Sequence, residues 1–202
     1  MTTIDSLQAL RALYPSPHPR ALGKQLGSLD RHCRHFIGLS PFVVIASGAP
    51  GACLDASPRG GEPGFIRVRD DATLLIPDAP GNNRLDTLEN IIADSRVGLI
   101  FLVPGVDETL RVNGRARLSD DPSLLAAFAD AKRVPRLVIE IKIVEVYLHC
   151  AKALMRSKLW GPEHRVDRAV LPTLGRMIND QIGSDEPAES QEAMVARYAA
   201  DL

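Results

Sequence analysis

"RVGLIFLVPGVDETLRVNGRARL", Arg96 to Leu118, decides the fold. Its first part, Arg96 to Val103, is apolar almost throughout, the pattern of a strand buried on both faces. Its last part alternates, with Leu110, Val112, Ala116 and Leu118 on one side and Arg111, Asn113, Arg115 and Arg117 on the other. That is a strand with one apolar face and one basic face. The connection between the two is hairpin-sized, so they pair antiparallel, since a parallel pair needs a long crossover.

The flanking segments repeat the theme. Downstream, "RLVIEIKIVEVYL" (136–148) has apolar residues at 137, 139, 141 and 143 and then at 144, 146 and 148. Its phase flips between Ile143 and Val144, which a bulge or bend explains. Upstream, "PFVVIAS" (41–47) is a short apolar strand, followed by a Gly-, Pro- and Ser-containing loop through Pro63. "GFIRVRD" and "TLLIPD" read as two strands joined by a turn at Asp70-Asp71. A helix is expected from Arg84 to Ala93, with Leu85, Leu88, Ile91 and Ile92 as its buried stripe. Six strands and one intervening helix predict a mainly β chain, a closed or nearly closed antiparallel barrel with flanking helices. Residues 1–40 read as a helical preface broken by "YPSPHPR", and residues 161–202 as a helical extension with a polar break at "GSDEPAE". Between them, residues 41–160 form the barrel core of one domain covering 1–202.

Composition narrows the function. Of 202 residues 45% are hydrophobic, enough for a core of ordinary size, and 24 Lys+Arg against 25 Asp+Glu leave a net charge of -1, which argues against a nucleic-acid footprint made of bulk charge. No apolar run is long enough to span a membrane, and "MTTIDSLQALRAL" lacks the regions of a signal peptide, so a cytoplasmic location is expected. Cys33, Cys53 and Cys150 are widely spaced without a C-x-x-C, which predicts reduced thiols. His32 and His35 in "HCRH" lie one helical turn apart without further ligands, and no metal site is assigned. Walker, G-x-S-x-G and G-x-G-x-x-G motifs are absent.

The chemistry-bearing candidates are basic. In "PGNNRLDTLEN", Asn83 is placed to cap the helix, Asp86 stands where the acid of a capping box would sit, and Arg84 occupies the first helical position. A cation there opposes the positive helix end, unless its guanidinium grips a phosphate facing the exposed N–H groups. A plain capped helix is the competing reading. In "HCAKALMRSKLW", Lys152 and Arg156 are one turn apart and Trp160 follows, either as solvated cations or as a second wall for the same anion. Ser57 and Arg59 sit in the loop before Pro63, where ligand contacts often collect.

The order "DASPRGGEPGFIRV", "LLIPDAPGNNRLDTLENIIADSRVGLIFLVPG", "LRVNGRARL" and "HCAKALMRSKLW" resembles the FMN-binding split-barrel proteins related to pyridoxamine 5'-phosphate oxidase, more narrowly a bacterial branch of them. The resemblance covers about residues 41–160. It implies a six-stranded antiparallel split β-barrel, a homodimer with FMN at the subunit interface, and an oxidoreductase acting on a small molecule. The alternatives are a flavin carrier, sensor or partner protein without turnover, or a barrel holding deazaflavin or haem. Asn83-Arg84 falls where the family holds the FMN phosphate, and Gly61-Glu62-Pro63 matches its turn before the second strand. The implied cofactor-binding residues are Ser57, Arg59, Asp78, Asn82, Asn83, Arg84, Lys152, Arg156 and Trp160. The family's phosphate-binding arginine and lysine along the following strands are not matched in register. "WGPEHRVDR" (160–168) is shorter than the oxidase's C-terminal signature and lacks its histidine, so pyridoxamine 5'-phosphate is expected to be a poor substrate.

Overall fold

The two longest strands form the spine of the molecule. In the computed structural model, which describes residues 3–199, β6 (Thr109–Ser119) pairs antiparallel along its whole length with β7 (Val138–His149). The expected phase flip is present. Asn113 pairs with Glu145 and Gly114 with Ile143, so Val144 is the extra, exposed residue of a bulge. Gly114 makes the bulge possible, because a Cβ there would collide with the Lys142 carbonyl oxygen.

Around this pair the sheet runs β2-β1-β5-β6-β7-β4-β3, with β1 Phe42–Ser47, β2 Asp55–Gly60, β3 Arg67–Asp70, β4 Thr73–Pro77 and β5 Arg96–Leu102. Each recorded strand pairing is antiparallel. The strand count is therefore seven, against six read from the sequence. The additional strand is β2, "DASPRG", within the segment expected to be a loop. It offers little apolar patterning and contains Pro58, which lacks an N–H, and it sits at the sheet edge where such a residue is tolerated.

The sheet curls about one core. Val43 and Ile45 of β1, Leu74 and Ile76 of β4, and Phe101, Leu110, Val112, Ile139 and Ile141 between them share a single apolar cluster. Strands from opposite ends of the order can share a core only if the sheet closes on itself. Two helices plug this core: α3 (Arg31–Leu39), through Cys33 and Ile37, and α4 (Asp86–Ala93), through Leu88 and Ile91. Before α3 lie α1 (Leu7–Ala12) and α2 (Pro19–Gly23), separated by the predicted proline break. Past Lys142, where the pairing with β4 ends, Leu26 bridges to Val146 and occupies the free edge of β7.

Two expectations need correction. β5 is not buried on both faces: Val97, Leu99 and Phe101 enter the core, whereas Gly98, Ile100 and Leu102, which alternate with them on the outer side of the sheet, are half-exposed. In α4 the buried residues are Thr87, Leu88, Asn90 and Ile91, while Leu85 and Ile92 are exposed, because the helix starts at Asp86 rather than Arg84.

A 3-10 turn follows α5 (Pro122–Leu125) and carries Phe128 onto the outer side of β4 and β7, where Leu75 and Val138 form a second, smaller cluster. The same side holds Glu140, 1% exposed, between Arg69 at 2.9 Å and Arg117. Contacts divide the chain into two units, Met1–Met155 and Arg156–Leu202, with the boundary inside α6 (Lys152–Ser157). Within the second unit, α7 (Leu174–Ile182) is capped by Thr173 and stopped by left-handed Gly183. A polar turn then leads to α8 (Gln191–Ala199), as the break at "GSDEPAE" predicts. Residues 1–2 and 200–202, the tips of the predicted extensions, lie outside the described residues. Among those described, no helix is long and apolar enough to cross a membrane.

Candidate functional site

β2 presents Asp55, Ser57 and Arg59 on one side, since side chains along a strand alternate. Their cross-strand partners are Ser47, Ile45 and Val43, all buried, so this is the core-facing side of the edge strand. All three are half-buried. Asp55 and Ser57 are tied to the start of α4: Thr87 Oγ1 donates to Asp55 Oδ2 at 2.6 Å, and Ser57 Oγ donates to Asp55 Oδ1 at 2.8 Å, while the Arg59 guanidinium donates to the Pro58 carbonyl oxygen at 2.9 Å. Behind them, the buried Asn90 donates from Nδ2 to Ser47 Oγ at 3.2 Å, and Ser47 Oγ lies 3.4 Å from Asp55 Oδ2. This polar network ties β2 and β1 to the first turns of α4.

The approach to α4 is tightly wound. Arg84 N–H donates to Asn82 Oδ1 at 3.1 Å, while Asn83 (φ 59°) and Leu85 (φ 61°) are left-handed. Asn tolerates that conformation and Leu does so at a cost, so the loop is held by its surroundings. Asn83 therefore does not cap the helix. Leu85 is the N-cap residue, and it supplies no side-chain hydrogen bond. The first intrahelical bond runs from Glu89 N–H to Leu85 O, which leaves the amides of the first turn without helical partners. The first helical residue is Asp86, an anion where the helix end is positive, and Arg84 lies two positions ahead of it. The exposed guanidinium of Arg84 grips Asp86, Nε to Oδ2 at 2.8 Å and Nη2 to Oδ1 at 3.2 Å. Asp86, and then the charge of Asp55, hold Arg84 more firmly protonated than usual, and Arg84 in turn holds the Asp86 carboxyl below its ordinary range.

Barrel closure shows again at Asp78, just past β4. Burial pushes its carboxyl up, opposed by the positive charges of Arg59 and then Arg136. Arg59 belongs to the strand at the other end of the sheet order, so the curl brings β2 and the β4 exit together.

Of the sequence-predicted residues, the structure thus groups Ser57, Arg59, Asp78, Asn82 and Arg84 around β2 and the loop into α4, with Asn83 in that loop. Lys152 is exposed on α6 in the first unit, and Arg156 and Trp160 belong to the second. Sequence reasoning missed Asp55, Thr87 and Arg136. The available signal for Asp55 was the two-residue spacing of Asp55, Ser57 and Arg59, a strand pattern hidden by Pro58.

A separate feature lies on the outer side of the sheet. An open groove of about 760 Å³ is lined by Ala46, Gly98, Asn113, Arg115, Val144 and Glu145 among others, and by none of the predicted site residues. Beside it, Val44, Ile100, Arg111 and His149 line a smaller hollow of about 300 Å³.

The sequence profile of the family described as "Pyridoxamine 5'-phosphate oxidase" matches residues 29–150, more than half of the chain. No curated protein matches. Among solved structures, HupZ of Group A Streptococcus is 14% identical with a TM-score of 0.50, the match covering 59% of this chain and 93% of that one. At that identity the likeness speaks for the fold alone. A candidate pyridoxamine 5'-phosphate oxidase of Lactobacillus delbrueckii is 21% identical (TM-score 0.48; 61% of this chain, 98% of that one). An FMN-binding protein of Syntrophomonas wolfei is 8% identical (TM-score 0.44; 71% and 97%).

Proposed function

The chain belongs to the pyridoxamine 5'-phosphate oxidase family, and on that premise we propose that it is an FMN-binding flavoprotein working as an oxidoreductase on a small molecule. The observation that carries this reading is the link from Ser57 through Asp55 to Thr87, which ties the core-facing side of β2, where Arg59 also lies, to the start of α4, an end with no side-chain cap and preceded by Arg84. Two cations, two hydroxyls and a set of helix-end amides suit a phosphate monoester. Arg59 and Arg84 hold the phosphate, with Ser57 and Thr87 as hydroxyl donors beside them. Asn82 and left-handed Asn83 shape the loop that delivers Arg84. Asp78 orients Arg59 by charge.

When bound, FMN supplies the redox chemistry, and the chain has to bind it, orient it and limit water. Lys152, exposed on α6 of the first unit, is a further cation available to the ligand in this reading. Homodimer formation through the outer side of β1, β5 and β6 covers the half-exposed Val44, Gly98 and Ile100.

The purified protein is therefore expected to be yellow and to release FMN, not riboflavin, on denaturation, as chromatography of the supernatant checks. A colourless protein that takes up no FMN from micromolar solution would falsify the proposal.

A further inference from the structure

The group that fits this phosphate site least is Asp55. Its carboxylate occupies the hydroxyls of both Ser57 and Thr87, at 2.8 and 2.6 Å, and its charge reaches the Arg84 guanidinium. These are the donors and the cation that the flavin reading assigns to the phosphate. We propose that Asp55 is a specificity-determining residue of that site: it holds down the affinity for the phosphate dianion, and so reduces discrimination between FMN and the neutral riboflavin. The inference rests on the flavin reading and adds a residue of opposite sign to it.

Two effects act in the same direction. An arriving phosphate competes with a resident anion for the Ser57 and Thr87 protons, and a hydroxyl has only one proton to give. The dianion also meets a fixed like charge beside the cation it seeks, and like charges disfavour each other's ionised form. Asp86 acts on Arg84 as well, but it is an exposed residue at the first position of α4, paired with Arg84 at the surface. Asp55 differs because hydroxyls from a strand and a helix hold it in place.

The test measures FMN and riboflavin dissociation constants for the parent, Asp55→Asn and Asp55→Glu by quenching of flavin fluorescence. The asparagine variant keeps the shape and removes the charge, and FMN should then bind about fivefold tighter or more, the scale of one screened like charge removed from near a dianion. Riboflavin should stay within about twofold. Glutamate keeps the charge and should leave the FMN-to-riboflavin ratio near the parent's. An unchanged or lowered ratio in Asp55→Asn, or equal losses for both flavins, overturns the proposal and leaves Asp55 a mechanical tether. If Asp55→Asn does not fold, Asp55→Ser at the same edge-strand position gives the same readout. A parent that binds neither flavin overturns the underlying flavin reading too, whereas a parent that binds both with an unresponsive ratio overturns only the role of Asp55.

Discussion

Arg84 shows how much one backbone torsion decides. Read as the first helical residue it would be a cation at the positive helix end; in the structure it precedes left-handed Leu85, and Asp86 takes the helical position. The amides of the first turn remain without a side-chain cap, which suits an anion. Arg84→Ala should weaken FMN binding roughly ten- to a hundredfold, the usual consequence of losing a hydrogen bond to a charged group. Riboflavin affinity should be unaffected, and equal losses for both would withdraw the assignment. Asp78 gives a prediction with a defined sign. Its folded-state pKa is raised above 3.8, chiefly by burial, so its ionised form costs stability; the cost is absent below pH 3.8 and appears as pH rises through the folded value. Asp78→Asn should therefore unfold at a higher temperature than the parent near neutral pH, with the gap closing in acid. A gap that widens as pH falls would show that the pairing with Arg59 and Arg136 outweighs burial.

Among the elements, β7 announced its bulge through a phase flip, whereas β2 gave almost no sign of being a strand. The difference is physical. β7 lies between β6 and β4, so the side on which its apolar residues fall is enforced by the core. β2 pairs with only one neighbour, along β1, and its core-facing side is spent on Asp55, Ser57 and Arg59. The bulge also supplies a test. Gly114→Ala places a methyl against the Lys142 carbonyl and the Ile141 side chain, and an overpacked, rigid site of this kind should lose about 1–3 kcal/mol. At about 2–4 °C per kcal/mol for a chain of this size, circular dichroism should record a clear fall in the melting temperature. An unchanged melting temperature would mean that the bulge can migrate.

For the whole molecule, the outer side of β1, β5 and β6 is the surface that one barrel leaves unfinished. It joins the 760 Å³ groove to the hollow at Ile100 and carries Val44, Ala46 and Gly98 in its floor. Covering such a face with a second copy buries apolar area on both partners, and a stable pair needs roughly 800 Å² from each. Light scattering at tens of micromolar is expected to report a homodimer, and Ile100→Asp to report a monomer, since a buried unpaired carboxylate opposes association. A parent that is monomeric with flavin bound would contradict the dimer.

What the sequence determined by itself was the antiparallel β architecture, the bulge and the α4 loop, because periodicity and turn residues are local signals. Ser57, Arg59 and Arg84 were legible as candidates for the same reason, being polar or basic residues beside chain breaks. Only tertiary structure decided that "DASPRG" is a strand, that β5 has one open face, and that Asp55 stands among the proposed phosphate ligands. Those facts depend on which strand lies at the edge and on how the sheet curls to bring β2 against α4 and Arg59 toward Asp78. Such contacts join residues far apart in the chain, and no local pattern encodes them.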